Sequence, residues 1–173
     1  MTWFLDFDRT IFDTDRFIRY VHTNHFRSHG LGEGAIGKIW NEQVESGKLK
    51  FFPGELTSFL YQDALKFFKR YPGKCVIMTY DNLALQKAKI KSSFFEVIMP
   101  EPEVLYTLQQ RKGHFLENIL KRFTMPYRFV DDSVDELSLV GESCMGVEIY
   151  EMRRDGKVGG IDYPTLKSFD DLP

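Results

Sequence analysis

The chain has 173 residues, 43% hydrophobic and 28% charged, with a net charge of -2. That is room for one domain and a small insertion, in a composition that argues against disorder and offers no basic field for nucleic acid. The longest apolar runs, such as residues 76–78, fall far short of the ~20 residues that span a bilayer, so no membrane partner is expected.

The first element is an apolar run over residues 3–7, inside the opening MTWFLDFD. No basic stretch followed by a long apolar one precedes it, so no secretory leader is expected. Four further short runs, at residues 75–79, 95–99, 127–130 and 145–150, also read as buried strands. Their Val, Ile and Phe content and their Gly, Pro and Asp borders suit a parallel sheet covered on both faces. Helical patterns lie between them, at residues 63–70, 82–91, 113–123 and 134–140. Strand and helix alternate, so the expected class is α/β with right-handed crossovers. Cys75 and Cys144 each lie beside an apolar run, without metal-type spacing. They read as buried free thiols of a protein in a reducing, cytoplasmic compartment.

One stretch breaks the alternation. About 70 residues separate the first two strands, where a crossover needs only ~10–12. The excess, residues 14–60, carries its own helical pattern in Phe17, Ile18, Val21, His25 and Phe26, with Gly30 placed to stop it. A Gly-rich segment and a second helical pattern at residues 36–45 follow. The expected division is a core of residues 1–13 and 61–173, with residues 14–60 as an inserted helical subdomain. The tail after Met152 reads as loop with a terminal turn.

Four places carry chemistry. In Asp6-Phe7-Asp8-Arg9-Thr10 a buried strand runs into two carboxylates. Alternate strand residues share a face, so both acids are expected to point to one place, at the carboxyl edge of the sheet. One acid can attack phosphorus; the other can protonate a leaving oxygen and then activate water. Strand-end capping is the plainer alternative. In Val76-Ile77-Met78-Thr79-Tyr80-Asp81 the Thr79 hydroxyl and the next backbone N–H can hold a phosphate oxygen, or Thr79 can simply start a turn. Lys112, just before a helix, can offset the charge of a carboxylate and phosphate packed together. Arg111 competes for that role. In Val130-Asp131-Asp132-Ser133 an acid pair follows another strand, as hard oxygen ligands for magnesium or as helix-start residues. Ser133 and Glu136 also fit a capping box.

Taken in order, these residues resemble the haloacid dehalogenase (HAD) superfamily. That family carries an acid-x-acid-x-Thr motif after strand one, a Thr or Ser after strand two, a Lys, and a later acid pair. Asp6, Asp8, Thr10, Thr79, Lys112, Asp131 and Asp132 match in order. The resemblance implies a Rossmann-like three-layer parallel sheet with a small all-helical cap after the first strand. It implies Mg2+-dependent hydrolysis of a small phosphorylated metabolite through an aspartyl-phosphate. Asp6 would be the nucleophile and Asp8 the acid/base. Asp6, the Asp8 carbonyl, Asp132 and Asp131 would surround the metal. Thr79, Tyr80 and Lys112 would bind phosphate. Asp8 favours phosphoryl transfer over dehalogenation, because the dehalogenase branch lacks an acid there. Two departures stand out: Arg9 replaces a common Gly, and Gly113 follows the Lys where Pro is common.

In the insertion, Arg16, Arg19 and Tyr20 share a helical face. With Arg9 they are candidates to meet an anionic substrate, although a solvated face is the competing reading. The histidines lack any HxxxH pair backed by carboxylates. Phosphotransfer to a sugar phosphate, and a catalytically weak phospho-ligand binding protein, are the alternative functions. A monomer or weak homodimer is expected.

Overall fold

The computed structural model describes residues 1–25, 33–80, 82–94, 96–157, 159–160 and 162–172. Gly30 and Phe26 of the first insertion helix, Asp81 after the second strand, and Phe95 lie outside them. Strand β1 (Thr2–Asp6) is buried at every position. Trp3 and Leu5 join the core on one face of the sheet and Phe4 the core on the other, the period-2 alternation of a strand covered on both sides. Burying an aromatic of this size contributes roughly 1.5–3 kcal/mol each, which makes β1 the natural centre of the sheet.

Around it stand β2 (Cys75–Thr79), β3 (Glu103–Tyr106), β4 (Tyr127–Asp131), β5 (Val147–Met152) and β6 (Thr165–Leu166). All pairings are parallel, in the order β3-β2-β1-β4-β5-β6. The carboxyl ends of β1, β2 and β4 therefore lie side by side where the strand order reverses, the place where open α/β sheets bind ligands. Helices α3 (Gln62–Arg70) and α4 (Leu83–Phe94) add Phe67, Phe68, Ile90 and Phe94 to the first core. Helices α5 (Lys112–Ile119) and α6 (Val134–Ser143) add Leu116, Leu137 and Val140 to the second. The three-layer α/β architecture is the expected one. No helix among the described residues is long and apolar enough to cross a membrane.

Two expected elements differ. The third strand is not at residues 95–99: residues 96–100 form turns and bends, and the strand is Glu103–Tyr106. Pro100 and Pro102 lack the N–H that a paired strand needs, so pairing begins only beyond them. The tail is not loop alone. β6 extends the sheet beside Glu151 and Met152, and a 3-10 turn follows at Phe169–Asp171.

The insertion contains α1 (Thr14–Asn24), α2 (Glu33–Glu45) and a 3-10 turn at Thr57–Phe59. Its buried residues Phe17, Val21, Trp40, Leu49 and Phe59 belong to the same apolar cluster as Trp3 and Leu5. It is also stitched to α4 at both ends. Asn41 Oδ1 accepts from the Leu85 N–H at 3.1 Å, at the start of α4. Near its end, Ser92 Oγ donates to the Phe52 carbonyl at 2.6 Å and Thr57 Oγ1 donates to the Ser93 carbonyl at 3.1 Å.

Candidate active site

Asp6 ends β1 and shares its face with Phe4, so its carboxylate turns towards the α5–α6 side. There it meets Lys112 and the acids at the end of β4. Lys112 is 4% exposed. Its Nζ donates to Asp6 Oδ1 and, at 2.7 Å, to Asp131 Oδ2. One buried ammonium thus serves two buried carboxylates. Burial opposes the charge on Lys112, but Asp131 and Asp6 outweigh it and hold the ammonium above its ordinary range. Asp6 goes the other way. Burial pushes its carboxyl well up, and Asp131 and Asp132 add to that against the pull of Lys112. Asp132 is pushed up to about 6, by burial first and then by Asp131.

One atom here has no internal partner. Asp6 Oδ2 is buried and accepts no hydrogen bond. Oxygens of Asp6, Asp131 and Asp132 lie within 4.8 Å of one another. An orphan carboxylate oxygen among three acids, offset by Lys112 and at Asp132 by Arg9, is short of positive charge, and an all-oxygen donor set is what a hard divalent cation takes. These residues therefore fit magnesium.

The geometry around Lys112 explains two sequence features. Glu136 is not the closing half of a capping box. Ser133 Oγ does accept from the Glu136 N–H at 3.4 Å, but the Glu136 carboxylate leaves its own helix. It accepts from the Lys112 N–H at 2.8 Å and from Arg111 Nε, fixing the start of α5. The Ser133 N–H goes instead to Asp131 Oδ1, at 2.9 Å. Arg111, the alternative to Lys112, is thus committed to Glu136. Gly113 is required by packing: a Cβ there would sit 2.6 Å from the backbone carbon of Leu139 on α6. Only glycine lets α5 approach α6 closely enough to bury Lys112.

Asp8 does not join Asp6. Strand pairing ends at Asp6; Asp8 bridges to Phe12, and Arg9 takes a left-handed φ of 60°. The strand alternation that would aim both acids at one point stops between them. The Asp8 carboxylate turns to the other face, towards α4 and the insertion. It pairs with Lys89 and accepts from Gln86 Nε2 at 2.7 Å and Thr14 Oγ1 at 2.5 Å. Burial raises its pKa, but the Lys89 charge and these donors prevail and lower it. Lys89 is 3% exposed and lies 5.0–5.3 Å from the ring centres of Phe7, Phe12 and Phe17. Neither Lys89 nor Gln86 stood out in the sequence. Lys89 is one of three alternating lysines in Lys87-Ala88-Lys89-Ile90-Lys91, and only its helical phase marks it as the inward one.

Thr79 is buried at the carboxyl end of β2, with its carbonyl taking the Thr107 N–H at 3.0 Å. Thr10 is fully buried and its hydroxyl has no partner. The insertion residues divide. Arg16 donates to the Ser58 carbonyl at 2.9 Å and lies over Phe59. Tyr20 donates to Glu55 Oε1 at 2.7 Å. Both therefore brace α1 against the end of the insertion. Arg9 pairs with Asp15 at 3.2 Å.

Two cavities flank these carboxylates, and Arg9 lines both. The first, of about 290 Å³, is bounded by Asp8, Phe17, Trp40, Tyr80 and Lys89. The second, of about 600 Å³, starts at Asp132 and is lined by Arg19, Arg153, Arg154 and Lys157 with Asp13, Asp15 and Asp155. Arg154 was missed in the sequence because it lies in the tail. Its Nε and a terminal nitrogen donate to the Thr10 carbonyl at 3.2 and 3.0 Å, and its other terminal nitrogen pairs with Asp63 at 2.7 Å.

No family model and no curated protein matches the sequence. Solved structures do match the fold. A haloacid dehalogenase-like hydrolase from Burkholderia xenovorans aligns with a TM-score of 0.65 over 98% of this chain and 93% of its own, at 14% identity. The HAD-hydrolase YfnB of Bacillus subtilis, solved bound to magnesium, aligns at 0.58 over 98% and 95%, at 13% identity. A haloacid dehalogenase-like family hydrolase from Xanthomonas campestris aligns at 0.54 over 95% and 87%, at 12% identity. The parallel sheet, its strand order and these neighbours together give the chain the haloacid dehalogenase-like fold.

Proposed function

We propose that this protein hydrolyses a small phosphate monoester with magnesium, through an aspartyl-phosphate on Asp6. The observation that carries the reading is the unpartnered Asp6 Oδ2, buried among Asp131 and Asp132 at the centre of the sheet edge. Asp6, Asp132 and the carbonyl of Asp8 would hold the magnesium, with Asp131 beside them. When bound, it supplies positive charge that lets a phosphate approach a carboxylate. Thr79, the Tyr80 N–H and Lys112 bind the phosphoryl oxygens in this reading. An Asp6 oxygen bonds to phosphorus as the bond to the leaving oxygen breaks, and Asp8, having taken the proton that a monoanionic ester brings in, gives it to that oxygen. Asp8 then takes a proton from water, whose oxygen bonds to phosphorus as the bond to Asp6 breaks. Phosphate leaves with the proton held on Asp8, and both aspartates return to their starting states. Residues 14–60 serve as the cap over this site.

The test is turnover of para-nitrophenyl phosphate and a panel of phosphorylated metabolites, with magnesium or with EDTA. Hydrolysis with magnesium that stops with EDTA is the expected result. A pure, folded protein inactive on every ester under both conditions overturns the proposal.

A further inference from the structure

The two cavities that meet at Arg9 differ in kind. The one at Asp132 is lined by Arg19, Arg153, Arg154 and Lys157 and suits anionic oxygens. The one at Asp8 is walled on one side by Phe17, Ile18, Trp40, Tyr80 and Leu85, and at the Asp8 end by Thr14, Gln86 and Lys89, which donate to that carboxylate. Its rings come from both the insertion and the core, with Phe17 and Trp40 edge to face at 5.8 Å. Both cations that reach it have partners: Lys89 holds Asp8, and Arg9 pairs with Asp15. An anionic group entering here would meet the Asp8 carboxylate and a paired ammonium.

Taking the phosphatase reading as its basis, we infer that the leaving group housed beside Asp8 is an uncharged aromatic alcohol of one or two rings. Size agrees with the wall chemistry. A dry cavity of about 150 Å³ lined by Leu, Ile and Phe holds benzene, and the space here is about 290 Å³. Flat rings stack or sit edge-on against Trp, Tyr and Phe, whereas a polyol would lose water from its hydroxyls against those walls and find the Thr14, Gln86 and Lys89 donors already given to Asp8. Gly37 helps to set the width: a Cβ on it would lie 2.8 Å from the Asn82 amide nitrogen.

The experiment compares phosphate esters whose alcohols are similar in acidity, so that the chemical step is matched. These are 2-phenylethyl phosphate, 2-(1-naphthyl)ethyl phosphate, glycerol 1-phosphate, glucose 6-phosphate and phosphoglycolate. We expect kcat/KM for the two aromatic esters to exceed that for the polyol and acidic esters by about 10- to 100-fold. Trp40→Ala should remove about tenfold of that preference. Because Trp40 is buried, Ile18→Lys on the partly exposed side of α1 provides a second reading. It adds an unpaired cation, and should lower the aromatic rates and raise that of phosphoglycolate. Equal or faster turnover of glycerol 1-phosphate or glucose 6-phosphate by the wild type overturns this inference and leaves the phosphatase reading standing. No turnover of any ester, para-nitrophenyl phosphate included, overturns both.

Discussion

Asp6 and Asp8 stand two residues apart and live in opposite electrostatic worlds. Asp6 shares one lysine with Asp131, has an oxygen with no partner, and is held up in pKa by burial and by neighbouring acids. Asp8 has Lys89, Gln86 and Thr14 on its carboxylate and is held down. The Asp6 environment is starved of positive charge and waits for more; the Asp8 environment is complete. The two are separated where strand pairing ends after Asp6 and the chain turns through Arg9.

Removing each side of this contrast should have a different signature. If Asp6 is the nucleophile as proposed, Asp6→Asn should lower phosphatase activity by at least about 1,000-fold. The Asn variant also relieves crowding among three acids, so it should melt no lower than wild type without magnesium. A variant that keeps near-wild-type rates would rule out Asp6 as the nucleophile. Lys112→Met is next. It leaves Asp6 and Asp131 buried without their shared cation, at a cost of about 3–5 kcal/mol, read as a lowered urea midpoint. An unchanged midpoint would mean that the ion pairs of Lys112 do not support the fold.

Lys89→Met tests the completed side. The Lys89 charge is the largest of the effects that lower the Asp8 pKa, so removing it lets burial lift that value. A base with a raised pKa loses its proton only at higher pH. The acid limb of kcat/KM against pH should therefore move upward, with the rate falling at the pH values just above the wild-type limb. A profile that does not move would separate Asp8 from the proton transfers. The smallest effect belongs to the divider. An L-residue at the left-handed φ of Arg9 costs about 1–2 kcal/mol, and its exposed pair with Asp15 returns less than about 1. Arg9→Gly should raise the unfolding free energy by about 0.5–1 kcal/mol. A destabilised glycine variant would show that the Arg9 side chain anchors the turn.

Much of this site is legible in the sequence, and the illegible parts have causes. Asp6, Thr79 and Asp131 each end a run of buried apolar residues, so periodicity alone brings them to one edge. Lys112 is placed by order along the chain, but its burial depends on Gly113 meeting Leu139, a contact that no local pattern encodes. Asp8 turns away because strand pairing stops at Asp6 and Asp8 bridges to Phe12, ahead of a turn through Arg9, a residue type that rarely adopts a φ of 60°. Lys89 finds Asp8 across 81 positions of sequence, and nothing near either residue announces the other. The third strand was misplaced because residues 95–99 carry the stronger apolar run, while the prolines that displace pairing stand just after it.

The clamp from Arg154 to the Thr10 carbonyl has a consequence for how the protein is made. The two residues are 144 positions apart. At about 5–20 residues per second, a ribosome adds the second on the order of 10 s after the first. For that interval the loop carrying Asp8 and Arg9 has been synthesised but lacks the guanidinium that pins it. Asp6 thus leaves the ribosome well before Arg154, and the loop beside it gains this support only when Arg154 follows.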